Sequence, residues 1–468
     1  MQLPNRRSGR RCAQILLLTF LGVCCPGFAA PPGTAGGAAP STPGLSLSGT
    51  FRSRVEYLEE TFRSADPGTE LVHASKLTLA LTLQGKRWYG SFEMLDARLH
   101  GDNAATPVGT DDVNVTEPLQ AYLGWRGHSV WTDGDHLDLR LGRWTKDLGN
   151  RRAIARNRYR NTINAFTGLH LDWHAPSGLT VSSFFAYPVR RLPDATDPDV
   201  LRANRFRLDE ERSAVRFWGV HAEHQPTSKT RCFGAVLGLD ERAADDPSAR
   251  QREFLTAMLE LDHHPGPWEL GLELGLELSF QSGRSRTTAA DPRVLNHQAW
   301  FAHLQLGRRF ATAGSPRIVL RYDYASGDDD PFDGTNERYD TLYGARRFDY
   351  GPTGVFGVMA RGNLRSPGAT LEVSPFTDAV LMLGVRRARL ASRRDQFITN
   401  GLGDPTGNTS AALGDLVECR LRWETHSNAL RLEAGAALFR KGRFFREVEA
   451  TVSPQDSHYV YLQATFTF

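Results

Sequence analysis

The sequence is poor in lysine and cysteine, and beyond residue 30 it contains no long hydrophobic run. No later stretch approaches the ~20 consecutive apolar residues that a membrane-spanning helix requires, which excludes a helical membrane protein. The formal net charge of +3 gives no indication of a nucleic-acid partner. The motifs GxSxG, HExxH and CxxC are absent, so the sequence predicts no enzyme and no cofactor.

An amino-terminal export signal is predicted over residues 1–29. Four arginines precede the apolar segment AQILLLTFLGVCC, and PGFAA supplies small residues for cleavage after Ala29. An uncleaved anchor helix is the alternative, although the apolar segment is short for that role. Residues 30–44 are rich in proline and glycine and are expected to form a flexible periplasmic lead-in to a single domain over residues 45–468.

The cysteines give little indication of a disulfide. Cys12, Cys24 and Cys25 lie within the export signal, which leaves Cys232 and Cys419 in the exported chain. Two cysteines in an exported protein can pair. However, the alternation places Cys232 on the less apolar parity of its strand and Cys419 on the apolar parity of a distant strand. We therefore expect both thiols to be free.

Apolar and polar residues alternate from Leu45 onward, which is typical of β-strands. In WELGLELGLELSFQ, which begins at Trp268, one face carries leucines and the other carries Glu269, Glu273 and Glu277. At about 3.3 Å per residue this strand exceeds ~30 Å, which is long for a soluble sheet and sufficient for a tilted membrane strand. A mean hydropathy of −0.40 is compatible with a membrane β-barrel, because every second side chain avoids lipid.

Counting the segments of alternating polarity predicts an all-β fold: one closed antiparallel transmembrane barrel of about eighteen strands. Short turns such as QGK, APSG and THSN alternate with long polar links, as expected for periplasmic turns and extracellular loops. GHSVWTDGDH is longer than the other predicted turns. The predicted strands begin near Leu45, Leu71, Arg87, Leu119, Leu137, Thr167, Leu179, Val215, Arg231, Phe254, Trp268, Asn296, Arg317, Ala369, Val380, Val417, Ala429 and His458.

The last twelve residues, SHYVYLQATFTF, form a strand with one apolar face. An unpaired apolar edge would promote aggregation, so we expect this strand to pair with the first one and close the barrel. Aromatic residues near the strand ends, such as Tyr57, Trp88 and Trp300, either mark the membrane interfaces or pack against neighbours.

Basic side chains occupy the strand face opposite the apolar one. Acidic side chains appear fewer on each strand, apart from the glutamate stripe that begins at Glu269. Charged linings select against solutes of like charge, and arginine binds carboxylates through two parallel hydrogen bonds. The sequence therefore predicts an anion-favouring pore lined by Arg52, Arg54, Lys76, Arg126, Arg140, Arg317, Arg321, Arg420, Arg422 and Arg431.

The link after the fifth strand, KDLGNRRAIARNRYRNTIN, is rich in arginine. Folded inward it would form a vestibule that attracts anions, and folded outward it would contact anionic lipopolysaccharide. Both alternatives remain open at this stage. The residues concerned are Arg151, Arg152, Arg156, Arg158 and Arg160.

Two weaker patterns admit other functions. His297 and His303 share the lumen parity and could meet a serine on a neighbouring strand, as a barrel lipase or protease would require, or they line the lumen as polar residues. Asp328, Asp330 and Asp333 form a weak calcium candidate, or a solvated acidic loop, because Pro331 occupies a position that a ligand would need. A barrel that binds a surface partner through the long link 325–368 is a further alternative.

The sequence resembles the alginate-export porin family of bacterial outer membranes. The resemblance lies in LRLGRWTKDLGNRRAIARNRYRNTINAFTGLHLDW, in LRYDYASGDDDPFDGTNERYDTLYGARRFDYG and in GNLRSPGATLEVSP, and it spans nearly all of the exported chain. It implies an eighteen-stranded monomeric barrel with an arginine-lined constriction for a uronate polymer. The final Phe468 resembles the signature that the barrel-assembly machinery recognises. The matching constriction positions are Arg140 or Arg143, Arg152, Arg321, Arg420 and Arg422.

One departure from the family pattern concerns substrate. The characterised exporters have a long periplasmic loop that plugs the pore, whereas ETHSN joins the corresponding strands here. The resemblance therefore predicts an outer-membrane channel for anionic saccharides, with a general porin for small solutes as the alternative.

Overall fold

A computed structural model describes residues 44–61, 63, 68–103, 106–242, 249–265, 271–425, 427, 429–448 and 452–468. The predicted export signal, residues 30–43 of the lead-in, Trp268 and Glu269 lie outside these residues. Antiparallel strands dominate the described chain. Its three helices, α1 (Pro198–Arg202), α2 (Arg347–Tyr350) and α3 (Phe444–Glu447), are short, and no described helix is long and apolar enough to cross a membrane.

Twenty strands are present in the described residues. Eighteen of them form the wall of a barrel, and the other two, β8 and β15, are two-residue pairs within long links. The strands are β1 (Gly44–Glu59), β2 (Thr69–Gln84), β3 (Trp88–His100), β4 (Asn114–His128), β5 (His136–Trp144), β6 (Phe166–His174), β7 (Leu179–Arg190), β8 (Glu210–Glu211), β9 (Val215–Thr227), β10 (Thr230–Glu241), β11 (Glu253–His263), β12 (Glu273–Ser285), β13 (Leu295–Arg309), β14 (Arg317–Ala325), β15 (Thr335–Asn336), β16 (Leu364–Val373), β17 (Ala379–Arg389), β18 (Ala412–Glu424), β19 (Leu430–Lys441) and β20 (Ser457–Thr467).

The sheet closes on itself. β1 pairs with β20 in an antiparallel register that runs from Thr50 opposite Thr467 to Glu59 opposite His458. The other barrel strands pair with their neighbours in chain order. Closure removes both edges of the sheet, and it confirms the predicted eighteen-strand barrel and the predicted pairing of the last strand with the first.

The links between barrel strands alternate in length, as predicted. Those at the end of the barrel where β1 begins are short, and those at the other end are long, which is the pattern of periplasmic turns and extracellular loops. The predicted long turn GHSVWTDGDH shrinks to residues 129–135. There the Asp135 carboxylate accepts hydrogen bonds from the backbone N–H groups of Val130 (2.6 Å) and Trp131 (3.0 Å).

The two faces of the wall differ in polarity over most of the barrel. In β12, Leu278 and Phe280 are about half exposed on the outside, whereas Glu273 and Glu277 are buried inside. In β20, Val460 and Leu462 point outward and Tyr459 is fully buried. The outer face is therefore an apolar belt, as the alternation predicted.

The parity is reversed at β10. Phe233, Ala235 and Leu237 are buried on the lumen side, while Cys232 is exposed on the outer side. Cys232 does lie on the less apolar face of its strand, as predicted, but in β10 this face points outward. Cys232 and Cys419 are both free and exposed, as expected.

Several strand boundaries differ from prediction. The predicted starts at Leu119, Ala369 and Val417 fall five residues inside β4, β16 and β18. Their first residues include polar side chains and Pro367, which do not alternate cleanly, because strand ends that project into the extracellular region need no apolar face. β12 begins at Glu273, and its predicted start at Trp268 lies outside the described residues.

Candidate functional site

A long extracellular link folds into the barrel and crosses the lumen. This link, residues 145–165 between β5 and β6, is called inner loop A below. Asn161 at one side is bonded to the wall at β1, and Arg152 at the other side is bonded to β12, nearly half the barrel circumference away. The arginine-rich link therefore points inward, which decides between the two alternatives that the sequence left open.

Basic side chains of β1 and β2 hold one side of inner loop A by its backbone. Lys76 Nζ donates to the carbonyl oxygens of Arg158 (3.0 Å) and Arg160 (2.9 Å). Arg54 donates to the carbonyl oxygen of Tyr159 at 2.9 Å. Basic residues that the sequence assigned to the pore lining therefore hold the loop in place, because backbone carbonyl groups with no other partner need hydrogen-bond donors when they are buried.

The other side of inner loop A is held by charged groups. Arg152 Nη1 lies 2.8 Å from Glu277 Oε2 of β12, and its Nη2 lies 3.0 Å from His303 Nε2 of β13. The backbone N–H of Asn150 donates to the Glu260 carboxylate of β11 at 3.0 Å. Arg152, Glu277 and His303 are buried, so the loop is fixed on both walls.

A second extracellular link, residues 326–363 between β14 and β16, also folds inward and is called inner loop B. Its backbone pairs with inner loop A, since Tyr343 N–H donates to the Ala153 carbonyl oxygen (2.9 Å) and Ala155 N–H donates to the Tyr343 carbonyl oxygen (3.1 Å). It reaches the wall where Arg347 lies 2.7 Å from Glu418 of β18. The two inner loops therefore form one joined constriction.

A buried ionic network lies at the junction of the two inner loops. Asp349 accepts two hydrogen bonds of 2.9 Å from Arg152 and another from Arg361. Burial alone would raise the pKa of the Asp349 carboxyl, but these two guanidinium groups hold it well below its ordinary value. Burial opposes the charge of Arg152 as well, yet Asp349 and Glu277 outweigh it and raise the Arg152 pKa well above its ordinary value.

Apolar packing explains why inner loop A enters the lumen. The inward faces of β7, β9, β10 and β11 form an apolar wall, and Leu148 and Ile154 of the loop are buried in the same cluster. Burying such side chains is favourable by about 25 cal/mol per Å². The wall members are Phe184, Ala186, Val215, Phe217, Phe233, Ala235, Leu237, Leu239, Phe254 and Met258.

Most predicted pore arginines are neutralised by carboxylates. The prediction that acidic side chains are few on the lumen face is wrong, because acids such as Glu56, Glu93 and Asp138 come from the same or neighbouring strands and match the arginines. Seven of the ten predicted site residues lie within ion-pair distance of a carboxylate: Arg54, Arg140, Arg143, Arg152, Arg156, Arg158 and Arg422.

Three of the ten predicted residues have no carboxylate of the described chain at ion-pair distance. Arg52 is buried and bonded to inner loop A, including Asn161 Oδ1 at 2.6 Å. Arg321 contacts only neutral acceptors, Gln305 Oε1 at 2.9 Å and Thr370 Oγ1 at 2.7 Å. Arg420 is half-buried on the lumen face of β18. Arg321 and Arg420 therefore form no direct ion pair within the described chain, although Asp349 and Glu372 act on Arg321 at longer range.

The predicted calcium residues do not converge. Asp328 is buried, Asp330 is about half exposed, and Asp333 accepts a hydrogen bond from its own loop. Among the described residues, the donor atoms close enough to share a metal ion belong to His303, Asp323 and Asp349. Arginines already occupy these carboxylates, with Arg386 on Asp323, so this group is suited to ion pairing rather than to metal binding.

The histidine–serine contact that a barrel hydrolase would need does occur. His297 Nδ1 lies 3.0 Å from Ser285 Oγ, but His297 Nε2 faces Gln281 instead of a carboxylate. Ser285 is buried and accepts a hydrogen bond from Asn336 Nδ2 at 2.8 Å. Its hydroxyl is therefore enclosed, and the arrangement is polar packing between β12, β13 and β15.

Sequence reasoning missed three members of the constriction: Asp349, Arg361 and Arg386. The first two lie in inner loop B, where no periodic pattern distinguishes an inward residue from a solvated one. Arg386 follows the parity of Gly384 and Met382 in β17, so alternation would have assigned it to the lumen.

Comparisons with known proteins agree with this architecture. The sequence matches the family model described as alginate export over residues 44–458. No curated protein sequence matches it. Pseudomonas aeruginosa OpdK, solved with vanillate, has a TM-score of 0.56 at 12% identity, over 90% of this chain and 98% of OpdK. P. aeruginosa OpdQ has a TM-score of 0.56 at 12% identity, over 91% and 97%. P. aeruginosa OccK2 (OpdF) has a TM-score of 0.54 at 14% identity, over 91% and 97%.

At these identities the solved structures show a shared fold. The family match and the shared barrel together place the protein in the bacterial outer membrane and indicate a channel rather than an enzyme. They also confirm the family resemblance seen in the sequence. The chain belongs to the alginate export family.

Proposed function

We propose that this outer-membrane channel passes anionic solutes, with carboxylated saccharides as the substrate class. The observation that carries the proposal is the pair of lumen-facing arginines, Arg321 on β14 and Arg420 on β18, which have no carboxylate partner in the described chain. Two strands separate β14 from β18 along the wall, and the register places Arg420 level with Arg317, four residues from Arg321, so the two arginines lie roughly 20 Å apart along the sheet.

An uncompensated guanidinium suits this substrate class. It is always charged, it is weakly hydrated, and its planar donors match both oxygens of a carboxylate. The hydrogen-bond partners of Arg321 in the described chain are an amide and a hydroxyl, which orient the guanidinium without forming an ion pair. A uronate unit approaching Arg321 would therefore gain a bidentate contact that a neutral sugar cannot make.

Planar-bilayer recordings test the proposal. Wild-type protein should show a reversal potential that favours anions, and oligouronate should block the current more strongly than a neutral oligosaccharide of the same length. Arg321→Ala/Arg420→Ala should reduce both effects. Arg98→Gln is the matched control, because Arg98 lies on the outer face of β3 and pairs with Asp96. Cation-favouring currents, unchanged in the double variant, would contradict the proposal.

A general porin for small solutes is the second candidate. The pairing of seven predicted pore arginines with carboxylates favours it, because a nearly neutral lumen discriminates weakly between ions. This candidate predicts a permeability ratio near one and equal block by charged and neutral oligosaccharides.

A further inference from the structure

A group of arginines lies on the outside of the barrel, at the extracellular ends of β16, β17 and β19. This outer arginine patch consists of Arg365, Arg387, Arg389 and Arg440, which are all exposed, around the single carboxylate of Asp415. None of these residues faces the lumen, since Ser366, Arg386 and Phe439 occupy that parity.

The strand register brings the patch together. Arg365 stands directly opposite Arg389, and Asp415 stands between Arg387 and Arg440 on its two neighbouring strands. Arg387 pairs with Asp415 at 2.8 Å, and Arg365 donates to the Ala391 carbonyl oxygen. Arg389 and Arg440 have no carboxylate of the described chain at ion-pair distance. Four guanidinium groups thus share one carboxylate.

Such an arrangement is unfavourable without an anion. Like charges directly opposite each other on neighbouring strands destabilise a sheet. At the same rim of the barrel, two other outward arginines each have a carboxylate of their own, Arg98 with Asp96 at 2.7 Å and Arg242 with Asp240 at 2.9 Å. The outer arginine patch therefore carries a larger excess of positive charge than those two positions do.

The position of the patch relative to the apolar belt indicates which layer of the membrane faces it. Directly below Arg387 on the same face of β17 stand Val385 and Leu383, both about half exposed, and they belong to the apolar belt. The arginines consequently lie where the acyl chains of the outer leaflet end and the charged head groups begin.

We propose that the outer arginine patch binds the phosphate groups of lipopolysaccharide in the outer leaflet. Its acyl chains would lie along the apolar belt below the patch, and its phosphates would occupy the space between Arg365, Arg389 and Arg440. Arginine is suited to this role because its planar donors match phosphate oxygens. The inference concerns the outer wall and does not depend on which solute crosses the lumen.

Lipid binding by the purified full chain in detergent tests the inference. Native mass spectrometry counts bound lipid during titration with bisphosphorylated lipid A and with dephosphorylated lipid A of the same acylation. We expect the wild type to bind the phosphorylated lipid at least tenfold more tightly. Arg365→Gln/Arg389→Gln should lose this preference, and Arg98→Gln should retain it. Heat-modifiable migration in electrophoresis establishes that each variant is folded.

Three results would overturn the inference. The first is equal affinity of the wild type for both lipids, which would indicate acyl-chain contacts alone. The second is an undiminished preference in the folded double variant, which would place the phosphates elsewhere. The third is displacement of lipid A from the patch by equimolar inorganic phosphate or acidic oligosaccharide, which would indicate a site for a soluble anion.

Discussion

Arg152 and Asp349 are bound to each other by two parallel hydrogen bonds of 2.9 Å, although one belongs to inner loop A and the other to inner loop B. Glu277 of the barrel wall binds the same guanidinium. Three separate segments of the chain therefore meet at one buried charge, and the position of the constriction depends on it.

Replacing Arg152 by alanine should release the constriction. The change would leave Glu277 buried without its cation and remove half of the partners of Asp349, which typically costs about 3 kcal/mol or more. We expect a larger and noisier single-channel conductance and faster proteolysis of both inner loops. Arg158→Ala is the control, since Arg158 lies in the same loop, is largely exposed and pairs with Asp147. Identical recordings from both variants would show that the network does not hold the loops.

Gly344 should tolerate no side chain, because the inner loops touch there through their backbones. A Cβ at this position would lie 1.8 Å from the Arg152 carbonyl oxygen. Gly344→Ala should separate the loops and raise conductance in the same direction as Arg152→Ala. Gly334→Ala, in open space within inner loop B, should behave as wild type. If the Gly344 variant conducts like the Gly334 variant, the two loops are not in contact.

Inner loop B should loosen as pH rises. Burial and the nearby Asp395 raise the pKa of Asp328 to about 7, with Arg338 opposing them. Since the unfolded carboxyl titrates near pH 4, its contribution to loop stability is fully present below that value and is lost as pH rises through about 7. Hydrogen exchange over residues 326–340, corrected for intrinsic rates, should accelerate between pH 5 and pH 8.

The variant Asp328→Asn tests whether Asp328 causes this pH dependence. The amide stays neutral at every pH, so the acceleration should disappear. Asp333→Asn removes a weaker charge that acts on Asp328, so it should preserve the acceleration and shift its midpoint to lower pH. A pH profile that survives in Asp328→Asn would assign the effect to a different group.

The closing seam of the barrel should depend on Gly49. Its backbone exchanges two hydrogen bonds with Phe468, and a Cβ there would lie 2.6 Å from the Phe468 ring. Gly49→Ala should therefore destabilise the barrel by about 1–3 kcal/mol, as overpacking does. Urea midpoints in detergent measure this, and Gly44→Ala, on the same strand with open space around it, should leave the midpoint unchanged. Equal midpoints would show that the seam can adapt.

The wall of the barrel could be predicted from the sequence because lipid imposes a period of two on every strand. Seventeen of the predicted starts fall within or beside a barrel strand, and the eighteenth, Trp268, lies outside the described residues. The inner loops could not be predicted. Nothing in KDLGNRRAIARNRYRNTIN distinguishes a loop that packs on Phe217 from one that extends into water, because the apolar wall is built from later strands, between Phe184 and Met258.

The ion-pair partners of the lumen arginines could not be fully predicted from the sequence either. Alternation identifies Arg140 and Asp138 as lumen residues of one strand, but the second partner, Asp172, becomes visible only through the register of β5 and β6. The sequence also did not reveal that β10 turns its apolar face inward, because such a face is favourable only when a loop inside the barrel covers it.

The apolar wall under inner loop A has a consequence for the route through the barrel. Hydrated ions avoid a dry surface, so on the proposed channel function they would not pass along the apolar part of β7 to β11. The proposed conduit is therefore eccentric and runs beside β14 to β18, where Arg321 and Arg420 stand. A solute that took the geometric centre of so wide a cylinder would escape both guanidinium groups, whereas this off-axis path brings every passing solute within their reach.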